Sequence, residues 1–182
     1  YGVVVVTVTA LGDLEGRAPV LRSGARVGDI VAVCGTLGRS GGGLAVLQRT
    51  AAVAGEVRPS WSPEEQLLVQ AHRTAAHPPL AAGVAAAVAG ATALIDVSDG
   101  LVRDAGRVAA ASGVEIALDR EAIEGFVDGP LRMALGGPAG LREVLAGGEE
   151  HALLAAFPAD ADLPTAPAPW TVIGTVLAPV QG

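Results

Sequence analysis

The stretch IDVSDG, residues 95–100, decides how this chain is read. It closes an apolar run, ATALIDV, that suits a strand over residues 92–97. The next dozen residues have the period of a helix. Leu101, Val102, Ala105, Val108 and Ala109 fall on one face, and Arg103, Asp104 and Arg107 fall on the other. Gly113 suits the end of that helix, and VEIAL then begins another strand. Strand, turn, helix, strand is the step from which α/β layers are built.

The same alternation extends in both directions. Toward the N-terminus, IVAVC reads as a short strand over residues 30–34, followed by the glycine stretch GTLGRSGGG and a helical run, LAVLQRTAAVA. Ser62-Pro63-Glu64-Glu65 predicts a helix start: Ser can cap, Pro suits the first helical position, and Glu65 completes a capping box. That helix is expected to run to about Ala75 and to stop at Pro78-Pro79, with a small-residue helix over residues 80–89 after it. Toward the C-terminus, a Pro- and Gly-containing region leads to a helix over residues 141–145, ended by Gly147-Gly148. EEHALLAAF and WTVIGTV supply the last two strands. Residues 3–10, almost continuously β-branched, read as a strand buried on both faces. The segment LGDLEGRAPVLRSGARVGD behind them is rich in Gly, Pro and charge, as a domain boundary would be.

Composition narrows the class. Hydrophobic residues make up 51% and charged residues 17% of 182, which excludes a disordered chain. All 12 basic side chains are Arg, and the net charge of −7 argues against a nonspecific nucleic-acid binder, which would carry a basic stripe. Cys34 alone rules out an internal disulfide framework and fits a reducing cytoplasm, and its apolar setting predicts a small buried thiol. The apolar run AAGVAAAVAGATALI is broken by Gly83 and Gly90 and bounded by Pro79 and Asp96, so it reads as a buried helix and a strand, with no membrane span. The start YGVVVV, without an initiator Met, suggests a fragment that has lost an N-terminal partner.

Three places could carry chemistry. In IDVSDG, Asp96 ends a strand while Ser98 and Asp99 precede a helix whose N–H groups and dipole favour an anion. Carboxylates there conflict with a phosphate unless a divalent cation lies between them, and Mg²⁺ uses one or two carboxylates with phosphate oxygens and water. The spacing equally fits Ser98 or Asp99 as a simple helix cap with Asp96 solvated. GTLGRSGGG lacks the GK[ST] of a P-loop and the GxGxxG pattern, so its glycines serve either a phosphate cradle or close packing of the next helix, which Ser40 could cap. GGEEH, residues 147–151, sets two acids at the start of a strand. His72, His77 and His151 have no metal-ligand spacing, and nothing in the sequence points to a Ser/His/Asp triad.

Taken in order, RSGARVGD, VAVCGTLGRSGGGLAVL, IDVSDGLVRDAGRVAAASGVEI and AGGEEHALL resemble the C-terminal half of the thiamine-monophosphate kinase family. That family belongs to the aminoimidazole-ribonucleotide synthetase superfamily. The resemblance implies an α/β fold, α+β layered, with a mixed sheet flanked by helices. Residues 1–20 would be the final strand and linker of a missing N-terminal ATP-binding domain, and residues 21–182 the C-terminal domain without the family's terminal segment. It implies ATP- and Mg²⁺-dependent phosphorylation of thiamine monophosphate by direct in-line transfer in a homodimeric, cytoplasmic enzyme, with no nucleic-acid or membrane partner. Carried over by motif, Asp96 and Asp99 would bind Mg²⁺, Ser98 and Arg22 the nucleotide, and Glu149 the substrate. The family's GGEDYEL reads GGEEHAL here, with Glu150 for an Asp and His151 for an aromatic. The resemblance also implies that these 182 residues alone do not complete an active site. Two other readings remain: another ATP-dependent enzyme of the superfamily, of the selenophosphate synthetase, aminoimidazole-ribonucleotide synthetase or hydrogenase-maturation dehydratase type, and a non-catalytic module that binds an anion or a partner.

Overall fold

The computed structural model describes residues 3–53, 60–74 and 79–180. Five strands, β1 (Ile30–Cys34), β2 (Ala93–Val97), β3 (Glu115–Leu118), β4 (Ala152–Phe157) and β5 (Thr171–Leu177), form one sheet in the order β2-β4-β1-β5-β3. Seven helices are described: α1 (Arg39–Val53), α2 (Pro63–Arg73), α3 (Leu80–Val88), α4 (Leu101–Ser112), α5 (Arg120–Glu124), α6 (Gly129–Leu135) and α7 (Gly137–Ala146). The α/β layering is as expected, but every strand pairing is antiparallel rather than mixed.

Side-chain alternation along the sheet divides the core in two. Val31 and Val33 of β1, Leu154 and Ala156 of β4 and Ile173 of β5 face one side, packing with Leu68, Leu101, Leu131 and Val144 from the helices. Ala32, Cys34, Ala155 and Phe157 face the other, against Ala82 and Ala86 of α3 and against Trp170, whose ring meets Phe157 edge-on with centroids 5.3 Å apart. β1 lies between two strands with both faces covered, hence its unbroken apolar sequence. Cys34 is fully buried, and burial pushes its thiol pKa up, so it is the inert thiol its setting predicts.

Several local readings hold and several do not. Ser62 accepts from the Glu65 N–H while the Glu65 carboxylate accepts from the Ser62 N–H, completing the capping box of α2. Its helix ends at Arg73; the expected continuation to Ala75 and the stop at Pro78, like His77 and Tyr1, lie outside the described residues. Residues 3–10 form no strand here: among the described residues none pairs with them, and Val3 to Val6 are 79–90% exposed. Only one face of α3 is buried, with Leu80, Val84 and Val88 exposed. Among the described residues no helix is long and apolar enough to cross a membrane.

The second half of the glycine stretch, residues 39–43, lies inside α1, so Ser40 is a residue of the helix and not its cap. A Cβ on Gly43 would sit 2.0 Å from the Leu68 carbonyl oxygen of α2, so close packing of helix against helix is what this glycine permits.

Candidate functional site

The site is assembled by the pairing of β2 with β4. Their antiparallel register, Asp96 opposite Leu153 and Val97 opposite Ala152, sets the end of one strand beside the start of the other. The ladder continues past both strands: the His151 N–H donates to the Val97 carbonyl at 2.9 Å and the Glu149 N–H to the Ser98 carbonyl at 2.8 Å. IDVSDG and GGEEH, about fifty residues apart in sequence, thus lie side by side. Asp96, Ser98, Asp99 and Glu149 are brought to one corner of the fold.

Glu149 and His151 both have positive φ, 63° and 54°, a region that non-glycine residues seldom occupy. Between them Glu150 turns the opposite way. Its carboxylate accepts from the Ser40 N–H at 2.5 Å and from the Thr36 hydroxyl at 3.1 Å, which satisfies a donor at the start of α1. Burial raises its pKa, against the lowering effect of those hydrogen bonds and of the Arg39 charge. Because Glu150 is turned inward, Glu149 and His151 face outward toward β2. His151 Nδ1 lies 3.2 Å from Asp96 Oδ2, and Nε2 lies 3.8 Å from Glu149 Oε2.

Asp99 is held from two directions. Its N–H donates to Asp104 Oδ2 at 2.9 Å, and its carboxylate pairs with Arg107 Nη2 at 2.5 Å. Arg107 Nη1 in turn donates to Asp104 Oδ1 at 2.6 Å. The helical period placed Asp104 on the solvated face of α4, yet it is fully buried, because it faces the 98–100 turn, with one oxygen taken by the Asp99 N–H and the other by Arg107. Val102, placed on the core face, is 54% exposed. Neither Ser98 nor Asp99 caps α4. The N-cap is Gly100 at φ 107°, where no side-chain hydrogen bond is made and where a Cβ would meet the Ala146 carbonyl oxygen at 2.8 Å.

Arg22 is placed elsewhere. Its side chain is exposed and its carbonyl accepts from the Ser112 hydroxyl at the last residue of α4, while the neighbouring Leu21 carbonyl accepts from Leu94 N–H early in β2. A helix of 12 residues separates that end from Asp99, about 17 Å at the usual rise. In the RSGARVGD segment the buried member is Asp29, whose Oδ2 accepts from the Arg26 N–H and the Thr92 hydroxyl.

Asp96 and Asp99 are hard oxygen donors in the number that Mg²⁺ takes from protein when phosphate and water complete its shell. Each has one oxygen engaged, by His151 or by Arg107, which leaves the other as a donor. No group of three or more His, Cys, Asp or Glu among the described residues is arranged to hold a metal alone. The pair alone does not form a closed cage.

The family described as AIR synthase related protein, C-terminal domain, matches residues 26–180, and the chain belongs to it. Within that family it is similar to thiamine-monophosphate kinases. It is 44% identical over 174 residues to the thiamine-monophosphate kinase of Mycobacterium tuberculosis, an alignment that covers 95% of this chain and 47% of the relative. The crystal structure of thiamine-monophosphate kinase from Stenotrophomonas maltophilia K279a superposes with a TM-score of 0.73 at 26% identity, over 91% of this chain and 52% of that one. A ThiL structure complexed with AMPPCP and TMP superposes with a TM-score of 0.61 at 31% identity, over 88% and 48%. The chain thus spans about half the length of the relatives it matches.

Proposed function

We propose that this chain is the C-terminal part of a kinase that transfers the terminal phosphoryl group of ATP to thiamine monophosphate, giving thiamine diphosphate. The observation that carries the reading is the meeting of IDVSDG and GGEEH across the β2–β4 ladder. It places two carboxylates, a serine and a third acid at one corner, in a chain whose relatives are thiamine-monophosphate kinases.

In this reading Asp96 and Asp99 hold Mg²⁺, which when bound neutralises phosphate charge. Ser98, at the turn into α4, contacts a nucleotide phosphate. Glu149, turned outward by its left-handed backbone, faces the thiamine substrate. Arg22 touches the nucleotide only where that ligand extends toward the far end of α4. Transfer in line needs orientation and charge neutralisation rather than a covalent intermediate on the protein, and these residues are of the kinds that supply both. Residues 1–20 lead from an N-terminal domain that completes the ATP site, and the full-length enzyme is a homodimer.

The test is thiamine monophosphate phosphorylation by the full-length protein, wild type against Asp99→Ala. The expected result is a large loss of turnover with circular dichroism and unfolding temperature retained. Unchanged turnover would remove Asp99 from the site.

A further inference from the structure

The residue of this corner that the proposed reaction leaves without a part is Arg107. Arg107 stands in the second turn of α4, and long helical side chains lean toward the helix N-terminus, so its guanidinium lies over the 98–100 turn. It is anchored there by a carboxylate that cannot reach water: Asp104 is 0% exposed and gives one oxygen to Arg107 and the other to the Asp99 N–H. The second arm of the guanidinium is placed differently. Nη2 pairs with an Asp99 carboxylate that is about two-fifths exposed, on an arginine side chain that is itself 40% exposed.

One arm is therefore fixed by a buried charge and the other by an ion pair open to solvent. Exposed pairs are weak and readily exchanged, whereas breaking a pair that leaves a buried charge is costly. A divalent cation drawn to Asp99 shares a carboxylate with Arg107, and the two cations repel. The cheaper movement keeps Nη1 on Asp104 and frees Nη2. A guanidinium keeps its charge at all working pH values and carries further N–H donors in a plane suited to phosphate oxygens.

We propose that Arg107 is a phosphate-binding residue of this site, anchored on Asp104 and stored against Asp99 until a metal-bound nucleotide takes Asp99 from it. The proposal rests on the reading of Asp96 and Asp99 as a metal and nucleotide site. In the resting arrangement Arg107 acts as the counter-ion of Asp99 and competes with free metal. In the loaded arrangement it contacts the anion that arrives with the metal. Arg107 thus opposes binding of a bare divalent cation and favours binding of the same cation with phosphate.

That opposition of signs gives the test. Full-length wild type, Arg107→Gln, Arg107→Lys and Asp99→Asn are compared for binding of Mn²⁺ alone, monitored by the electron paramagnetic resonance of the free ion, and for binding of AMPPCP at saturating Mg²⁺ by calorimetry. Arg107→Gln is expected to bind Mn²⁺ alone up to about fivefold more tightly, the size of one exposed ion pair. It is expected to bind AMPPCP about tenfold more weakly, the size of a charge-assisted hydrogen bond. Arg107→Lys, which keeps the charge beside Asp104, should fold as the wild type and recover part of the AMPPCP affinity. Unchanged AMPPCP affinity in Arg107→Gln overturns the proposal, as does a loss of both affinities together with a fall in unfolding temperature that Arg107→Lys restores in full. If Asp99→Asn leaves Mn²⁺ binding untouched, the metal reading itself fails. If Asp99→Asn weakens Mn²⁺ binding and Arg107→Gln does not separate the two affinities, only the role of Arg107 fails.

Discussion

His151 Nδ1 lies 3.2 Å from Asp96 Oδ2, so the strand end that carries Asp96 is tied by side chain as well as by backbone to the loop that carries Glu149. The contact is half-exposed and contributes little to stability, about 0–1 kcal/mol by the usual worth of such pairs. Its consequence is orientation. His151→Asn separates the two, because Asn tolerates the left-handed backbone that residue 151 adopts at φ 54° but does not reach as the imidazole does. Unfolding in urea is expected within about 1 kcal/mol of wild type. The KM for thiamine monophosphate is expected to rise about tenfold in the full-length enzyme, as Asp96 and Glu149 lose their common partner. An unchanged KM would show that the imidazole is a bystander.

Glu150 predicts a pH dependence. Burial raises its pKa from the usual 4.5, so the folded protein holds that proton more tightly than the unfolded chain. Stability from this group is complete below pH 4.5 and declines as pH rises through the raised folded value. Glu150→Gln keeps an oxygen for the Ser40 N–H and does not titrate. The difference in urea midpoint, wild type minus variant, should therefore fall as pH is raised from 4.5 toward neutrality. A difference that stays flat or rises would mean that the hydrogen bonds from Ser40 and Thr36 outweigh burial.

The range of an interaction along the chain decides whether the sequence reveals it. The capping box of α2 and the glycine end of α4 are set by residues within a few positions of each other, and both were legible. Short helices α5 and α6 went unread, although each has a local signal. Asp119 and Asp128 accept from the N–H groups of Ala122 and Leu131 as N-caps, but five and seven residues give too little period to see. The nonlocal facts could not be read. Nothing in GGEEH announces that Glu150 turns onto α1 while its neighbours face β2, and nothing in the period of α4 announces that Asp104 is buried. The β-branched run at residues 3–10 has strand propensity but finds no neighbour to pair with among the described residues, and propensity alone does not make a strand.

Gly43 sets the distance between α1 and α2. An added Cβ would come within 2.0 Å of the Leu68 carbonyl oxygen and 2.8 Å of His72 Cβ, and the first of these is backbone that cannot swing aside. Gly43→Ala gains helix propensity, at most about 1 kcal/mol, yet must push two helices apart. The expected net is a destabilisation of about 1–3 kcal/mol in chemical denaturation. The Ser40–His72 hydrogen bond, 3.1 Å across the same interface, should lengthen with it and be visible as a shift of the His72 ring resonances. A variant as stable as wild type would mean that the helices separate without cost.

Asp104 is the residue whose loss should separate fold from site most sharply. It is fully buried, and it satisfies one backbone donor and one guanidinium. Asp104→Ala leaves the Asp99 N–H without its acceptor and releases Arg107 to solvent, at an expected cost of about 1.5–3 kcal/mol. Asp104→Asn retains an oxygen for the Asp99 N–H but loses the charge that anchors Arg107. It is expected to recover most of the stability and little of the turnover. If the two variants fall together in stability and in turnover alike, Asp104 serves only the packing of α4 against the 98–100 turn. If Asp104→Asn folds as wild type yet turns over slowly, the buried carboxylate acts through the arginine and the Asp99 turn that it holds.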